Sequence, residues 1–342
     1  MQDPRNDSVI TMEQERPEET PSTQPSHDAS STSSNELSKI FSNAQGLRAG
    51  WRLLLYVVIT AGFFLGLKLL LMQFYRSIPD KFSFESTLFS EMIGFISAFG
   101  AARVMSFLEH RPVGCYGLPV QQAFGKLFWQ GALLGFLEIS AVIGLLYTVG
   151  GYSFGPLALH GAQTIHWGVL WLLCLTFVGL FEEFLFRGYS LFTLSSGVDF
   201  WPAAILLSML FAAVHLQNSG EGPVGVAGVF VVGLLWCFTV RRTGSLWFAV
   251  GMHAAFDFGE TFLYSVPDSG MVLPGHLSDA TLHGPAWLTG GTVGPEASVF
   301  DFVLLFIFFY VIHRLYPSKK IPQQGTTSVY RTNSEANTNF TP

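Results

Sequence analysis

Two short motifs place acidic and imidazole side chains in otherwise apolar stretches of the chain. Glu182 and Glu183 are adjacent, and Arg187 follows Glu183 by about one helical turn. Because Glu183 and Arg187 would share a helix face, we expect them to pair and to leave Glu182 turned elsewhere. A poorly hydrated carboxylate is a stronger base than one in water, so a carboxylate in an apolar stretch can serve as a general base. His215 ends a second apolar stretch, one turn after Phe211.

A third motif brings His253 and Asp257 together, four residues apart on one predicted helix face. A His–Asp pair at this spacing either orients the imidazole or presents two ligands to a metal. An imidazole N–H can also stabilise the oxyanion that forms when an amide is hydrolysed. Each motif alone also fits a structural role, such as an interfacial salt bridge or a packed histidine. Together, the three motifs predict one polar, water-containing pocket within a membrane.

The composition predicts that lipid surrounds most of the chain. Of its 342 residues, 49% are hydrophobic and only 12% are charged, and the mean hydropathy is +0.40. Soluble domains average about 25% charged residues. A net charge of −6 without a basic patch argues against a nucleic-acid partner. We therefore expect an all-α fold, a polytopic membrane protein with the lipid bilayer as its surroundings.

About eight apolar stretches are suited to transmembrane helices. They are predicted at 51–72, 88–108, 129–149, 167–187, 201–216, 224–240, 245–264 and 299–316. Lys and Arg precede the first span and follow the second, sixth and eighth, whereas the third, fifth and seventh loops contain none. Cytoplasmic loops are enriched in positive charge, so both termini are expected in the cytoplasm, in a multi-pass protein of a bacterial plasma membrane.

These boundaries create a difficulty for the shared pocket. Glu182 and His253 fall in the cytoplasmic half of their spans, whereas His215 falls nearer the other side. The three side chains can meet only if the fifth span is tilted or starts deeper in the membrane.

The two ends of the chain are predicted to be disordered tails. Residues 1–45 are rich in Glu, Ser, Thr and Pro, and residues 318–342 have a similar polar character. Such segments bury too little apolar surface to offset the loss of chain entropy on folding. Residues 46–317 are expected to form one transmembrane helical domain. Within it, the Gly- and Pro-rich loop 263–298 is expected to be irregular and to lie outside the membrane.

The order and spacing of the motifs resemble those of a known peptidase family. Glu-Glu-x-x-x-Arg at 182–187, Phe-x-x-x-His at 211–215 and His-x-x-x-Asp at 253–257 are similar to the motifs of the CPBP intramembrane peptidases. That family includes CAAX prenyl proteases and the bacteriocin-processing, abortive-infection type. The resemblance covers about residues 167–260, and it implies a peptidase core of about 125–316 and an eight-helix fold.

The resemblance implies an endopeptidase that cleaves a membrane-associated peptide or protein substrate, CAAX-like, prenylated or otherwise close to lipid. Glu182 would activate water, and Glu183 would be held by Arg187. His215 and His253 would complete the site, either as zinc ligands together with Glu182 or as partners of the water and the oxyanion. The enzyme would accordingly be of the metallo- or the glutamate type.

The last motif position departs from the family, which often has Asn where this chain has Asp257. An Asn amide can donate a hydrogen bond, whereas Asp donates one only when it is protonated. The departure favours a role for Asp257 in orienting His253 or in binding a metal.

Two other classes of function stay open from the residues alone. The same carboxylates and imidazoles could relay protons in a proton-coupled transporter or channel. Alternatively, the chain could be a non-catalytic immunity or scaffold protein, in which Glu182, His215 and His253 can be replaced together without loss of function.

Overall fold

A computed structural model describes residues 41–43, 46–74, 83–218 and 220–317 of the chain. The predicted disordered tails, 1–45 and 318–342, lie outside the described residues except for 41–43. The chain divides between residues 46 and 47, and the helices described below all belong to the second unit, which begins at Leu47.

The second unit is almost entirely helical. Its helices are α1 (Ala49–Phe74), α2 (Phe84–Leu108), α3 (Lys126–Thr148), α4 (Ala162–Arg187), α5 (Tyr189–Val198), α6 (Phe200–His215), α7 (Pro223–Thr243), α8 (Trp247–Phe258) and α9 (Val299–Leu315). A π-helical turn, Gly259–Leu263, continues α8, and shorter helical turns occur at Val113–Tyr116, Val120–Gln122, Ala286–Thr289 and Pro295–Ala297. Two-residue strands are present at β1 (Ser42–Asn43), β2 (Gly46–Leu47), β3 (Tyr152–Ser153) and β4 (Thr281–Leu282), of which β3 and β4 pair antiparallel.

In the part of the chain that the structure describes, five helical stretches are long and apolar enough to cross a membrane: α1, α2, α3, α4 with its continuation α5, and α7. Helix α6 is also apolar but shorter, with 16 residues. Large apolar side chains are exposed along several of these helices, as expected where lipid replaces water. The chain is therefore an all-helical membrane protein with multiple candidate spans, and a helix lies at each of the predicted positions.

Helix α5 is the main difference from the predicted spans. The sequence analysis predicts that a span ends at 187 and that the next begins at 201, with no helix between them. The chain instead continues beyond Gly188 as α5 and turns at Asp199, which has a φ of 67°. The turn into α6 thus lies about midway in sequence between Glu182 and His215. Two residues equally far from a turn between helices can lie at a similar depth in the membrane. Glu182 and His215 can therefore reach the same pocket, although the predicted spans placed them in opposite halves of the membrane.

Helices α3 and α8 approach each other to backbone contact through glycines. A Cβ atom at Gly135 would lie 2.0 Å from the carbonyl oxygen of Met252, and one at Gly131 would lie 2.0 Å from that of Phe248. Small residues four apart allow membrane helices to pack this closely. Because His253 directly follows Met252, the contact also fixes the position of His253.

The segment 264–298 returns to the helices although it has little regular structure. The N–H of Gly270 donates to the carbonyl oxygen of Val293 at 2.7 Å. The hydroxyl of Thr292 donates to the carbonyl oxygen of Gly220 at 3.0 Å, beyond the end of α6. The first bond joins two parts of the segment, and the second attaches the segment to the chain just after α6. The position of the segment outside the membrane stays a prediction.

Candidate active site

A buried ion pair lies near the end of α4. The Nη1 atom of Arg187 is 3.2 Å from Oε1 of Glu183, and both side chains are completely buried. This is the pairing that the four-residue spacing predicts. The guanidinium carbon of Arg187 lies 4.0 Å from the ring centroid of Phe211 and 5.3 Å from that of Trp236. Cation–π contacts of this kind stabilise a buried Arg, and they give Phe211 of the second motif a structural role.

The imidazole of His253 is held between carboxylates on both of its edges. Its Nδ1 atom is 3.1 Å from Oε1 of Glu183. Its Nε2 atom is 3.3 Å from Oδ2 of Asp257 and 3.8 Å from Oε2 of Glu182. The ring also stacks on Trp236, with 4.1 Å between the ring centroids. Packing and polar contacts therefore fix the orientation of the imidazole.

The two adjacent glutamates have different surroundings. Glu183 has no exposed side-chain surface and contacts both Arg187 and His253. The side chain of Glu182 is 23% exposed and lies on the wall of a cavity. Of the two carboxylates, only Glu182 can therefore meet a water molecule or a substrate without a rearrangement of the buried pair.

His215 reaches the same cavity from the last turn of α6. Its Nδ1 atom is 2.8 Å from the carbonyl oxygen of Phe211. A carbonyl oxygen only accepts, so Nδ1 carries a proton in this contact and Nε2 is the nitrogen left for the cavity.

The cavity has a volume of about 390 Å³, within the usual range for small-ligand sites. Helices α2, α3, α4, α6, α7, α8 and α9 and the segment 264–298 contribute to its wall. Glu182, His215, His253 and Asp257 all lie on this wall, so the structure contains the shared pocket that the sequence predicts. Their chemical roles stay predictions.

We use two names for groups of side chains at this cavity. The catalytic cluster consists of Glu182, Glu183, Arg187, His253 and Asp257. The acidic wall consists of Glu138, Asp268, Glu296 and Asp301. The groups differ in charge, because no Lys or Arg is among the described residues that line the cavity, while Arg187 lies directly behind the catalytic cluster.

The acidic wall was largely missed by sequence reasoning. Glu138 stands in a predicted span, and no role was assigned to it. Asp268 occurs in a Pro-Asp-Ser-Gly stretch typical of a turn, and Asp301 stands in the first turn of α9, where an acid commonly stabilises a helix. The sequence indicates only that several acidic residues lie in or next to apolar spans. Such residues are costly in a membrane and are therefore commonly functional.

Acids of this wall lack basic partners. Glu138 and Asp301 are buried, and each has a carboxylate oxygen without a hydrogen-bond partner among the described residues. Burial, and next the negative charge of Asp257, raise the pKa of Asp268 to about 8. Burial and the charge of Asp268 likewise raise the pKa of Glu296. Both pKa values are raised, so the negative charges of Asp268 and Glu296 are poorly compensated by their surroundings.

The zinc ligand set suggested by the resemblance is not gathered in this arrangement. Among the described residues, the three groups whose ligand atoms all lie within 4.8 Å of one another are Glu260, Asp268 and Glu296, not Glu182, His215 and His253. A tetrahedral zinc site needs its ligand atoms about 2 Å from one centre. Glu182, His215 and His253 would therefore have to move before they could share one ion.

Comparison with known families identifies part of the chain. Residues 164–259 match the family described as Type II CAAX prenyl endopeptidase Rce1-like. The matched stretch runs from the start of α4 to the end of α8 and contains all three motifs. No curated protein and no solved structure matches the chain.

Proposed function

We propose that the chain is an intramembrane endopeptidase, because residues 164–259 match the Rce1-like type II CAAX prenyl endopeptidase family that its motifs resemble. In this proposal it hydrolyses peptide bonds of membrane-associated peptides, CAAX-like and prenylated or otherwise close to lipid.

The different surroundings of the two glutamates are the observation that carries the proposal. Glu183 is fully buried and is engaged by Arg187 and by Nδ1 of His253. Glu182 is partly exposed to the cavity and is near Nε2 of the same ring. A general base must reach the proton that it removes, so this role falls to Glu182. Glu183 and Arg187 then hold His253 in place.

In the proposed reaction, Glu182 takes a proton from water as the water oxygen attacks the peptide carbonyl carbon. Negative charge develops on the carbonyl oxygen, where a donor such as Nε2–H of protonated His215 can stabilise it. Glu182 then passes the proton to the peptide nitrogen as the C–N bond breaks. One water is consumed, and a carboxylic acid and an amine are released, between which the proton redistributes to give a carboxylate and an ammonium group.

His253 and Asp257 also support this reaction. Nε2 of His253 lies 3.8 Å from Glu182, within reach once the side chains tighten around a substrate. Asp257, at 3.3 Å from the same nitrogen, orients the ring.

We also propose that the chain crosses a plasma membrane eight times and has both termini in the cytoplasm. The helix at each predicted span and the distribution of Lys and Arg support this arrangement. The first turn of α2, the last turn of α6 and the first turn of α9 would then lie on the outer side. Ser86, His215 and Asp301 line the cavity from those turns. A substrate would accordingly enter from the outer half of the membrane.

The test is a cleavage assay with the full-length protein purified in detergent or reconstituted in lipid. The probe is a quenched fluorescent peptide that ends in a farnesylated CAAX sequence, compared with the same peptide without the farnesyl group. We expect Glu182→Ala to lower kcat by at least about 10³-fold, because it removes the base. Glu85→Gln, at an exposed carboxylate in the first turn of α2, is the matched control and should have no effect.

Unchanged turnover in Glu182→Ala would remove Glu182 from catalysis. Failure of the wild-type protein to cleave either peptide, or a wider set of membrane-anchored peptides, would remove the endopeptidase function.

The acidic wall, together with Glu91 of α2, favours a second candidate function, proton transfer across part of the membrane. Glu91, Glu138 and Asp301 line the cavity, and each has a carboxylate oxygen without a partner among the described residues. Such carboxyl groups can relay protons. Liposomes that contain the protein and a pH-sensitive dye would show proton flux if this candidate is correct, and Glu182→Ala would then alter flux rather than proteolysis.

A further inference from the structure

We infer that Glu260, Asp268 and Glu296 form a binding site for a divalent, oxygen-preferring cation that fastens the segment 264–298 to the end of α8. The inference does not depend on the proposed peptidase function. It rests on the geometry of the three carboxylates and on the state of Glu260.

The three carboxylates converge from separate parts of the chain. One oxygen from each lies within 4.8 Å of the other two. Glu260 stands in the π-helical turn after α8, Asp268 in the following segment, and Glu296 in the helical turn that precedes α9. Single π-helical turns within α-helices are frequent at functional sites, because they redirect a side chain. Here the turn directs Glu260 towards the two distant acids.

Glu260 is the observation that points to a ligand. Its side chain is completely buried, and no N–H or hydroxyl group among the described residues donates to either of its carboxylate oxygens. Its side-chain contact is with the carboxyl group of Glu296, which can donate only when it is protonated. The charged groups that act on it are carboxyl groups too: Glu296, Asp268 and Asp257. A buried carboxylate without a donor or a counter-charge is strongly disfavoured. A cation between the three groups would supply the missing counter-charge.

The neighbours of the other two acids fit this role. The hydroxyl of Thr261 donates to Oδ2 of Asp268 at 2.7 Å, which orients that carboxylate in the way hydrogen bonds commonly orient metal ligands. Asp268 and Glu296 also line the cavity, so water can complete the coordination shell. Glu260 does not line the cavity, and it would bind the ion from the protein side.

The ligand chemistry selects the ion. All three ligands are carboxylate oxygens, which suit Ca²⁺, Mg²⁺ and Mn²⁺ rather than ions that prefer sulfur or imidazole. Two of the ligands come from a segment with little regular structure. Ca²⁺ tolerates irregular geometry and six to eight oxygens, whereas Mg²⁺ demands a near-ideal octahedron. We therefore expect Ca²⁺ to bind more tightly than Mg²⁺.

The experiment measures thermal unfolding of the full-length protein in detergent, after treatment with EDTA and then with CaCl₂, MgCl₂ or MnCl₂ added. We expect CaCl₂ to raise the Tm of the wild-type protein by at least about 3 °C, because an ion that binds only the folded state stabilises it. Glu260→Gln and Glu296→Gln should each abolish the rise. Asp279→Asn is the matched control, since Asp279 is in the same segment but its side chain is 63% exposed, and it should keep the full rise.

A second expected result is a gain in stability, and it distinguishes a variant that has lost the cation site from one whose fold is damaged. In EDTA, Glu296→Gln should be more stable than the wild-type protein, because it relieves repulsion between carboxylates. Isothermal titration of the wild-type protein with CaCl₂ should give about one site per chain.

Three results would each overturn the inference. One is the absence of both binding heat and a Tm rise with all three ions. Another is a rise that persists in both Gln variants. The third is an equal loss of the rise in Asp279→Asn, which would indicate a general effect of ions on the detergent-bound protein.

Discussion

Among the described residues, seven carboxyl groups line the cavity: two of the catalytic cluster, the four of the acidic wall, and Glu91 of α2. The catalytic cluster and the acidic wall differ in the partners of their carboxyl groups. In the catalytic cluster, Arg187 and His253 lie within 4 Å of carboxylates. Along the acidic wall, the described residues offer no Lys or Arg. The two regions contain the same types of acidic residue, so the difference between them is charge compensation. The carboxylates of the catalytic cluster have basic partners and can stay charged, whereas those of the acidic wall require a proton or a bound ion. The predictions below test this difference.

The largest expected effect is that of breaking the buried pair of the catalytic cluster. Arg187→Leu leaves Glu183 charged and buried without its partner, which typically costs about 3–5 kcal/mol of stability. Denaturant unfolding in micelles measures the loss. The double variant with Glu183→Gln should recover at least half of it, because the uncompensated charge is gone. A loss below about 1 kcal/mol in the single variant would mean that the pair is not compensated in the way described.

A smaller loss is expected where α3 and α8 meet, since α3 carries Glu138 of the acidic wall and α8 carries His253. In Gly135→Ala, the new Cβ would lie 2.0 Å from a carbonyl oxygen, so the helices must separate. We expect a loss of about 1–3 kcal/mol, the usual range for overpacking. Gly144→Ala on the same helix has nothing within 4 Å and is the control. Similar stability of the two variants would show that the helix contact is looser than described.

Much of the catalytic cluster could be predicted from sequence, because its signals are local. The pairing of Glu183 with Arg187 and the meeting of His253 with Asp257 both follow from a four-residue spacing on a helix. Hydropathy alone predicted where the helices occur, since each span is a continuous apolar stretch. Helix α5 was missed, because Tyr189–Val198 is short, contains four Ser and Thr side chains and a Gly, and follows Gly188.

The acidic wall and the Glu260 cluster could not be predicted, because their residues meet only in the folded chain. Asp268 and Glu296 stand in a Gly- and Pro-rich segment whose path no periodicity describes. The spacing of Gly131 and Gly135 does indicate a close helix contact, since small residues four apart are typical of tightly packed membrane helices. That signal does not specify the partner helix.

An intermediate effect on activity is expected at Asp257, which tests whether its charge or only its hydrogen bond matters to His253. Asp257→Ala frees Nε2 of the ring and should lower kcat/KM by about 10–100-fold, as is usual when a supporting partner is lost. Asp257→Asn should retain activity within about tenfold, because an amide oxygen can still accept from the ring. The cleavage assay with the farnesylated peptide measures both. Equal loss in the two variants would indicate that the negative charge itself is required.

The smallest expected effect is a gain in stability at the acidic wall. Its sign is opposite to that expected for the same substitution in the catalytic cluster. Glu138→Gln keeps the shape of a buried side chain but removes a carboxyl group that has no basic partner, so we expect thermal stability to rise by up to about 1 kcal/mol. The same substitution at Glu183, in the catalytic cluster, should lower stability because it leaves Arg187 unpaired. Side-by-side unfolding of the two variants measures the difference. If Glu138→Gln instead destabilised the protein as much as Glu183→Gln, the carboxylate of Glu138 would have a counter-charge, and the contrast between the two regions would fail.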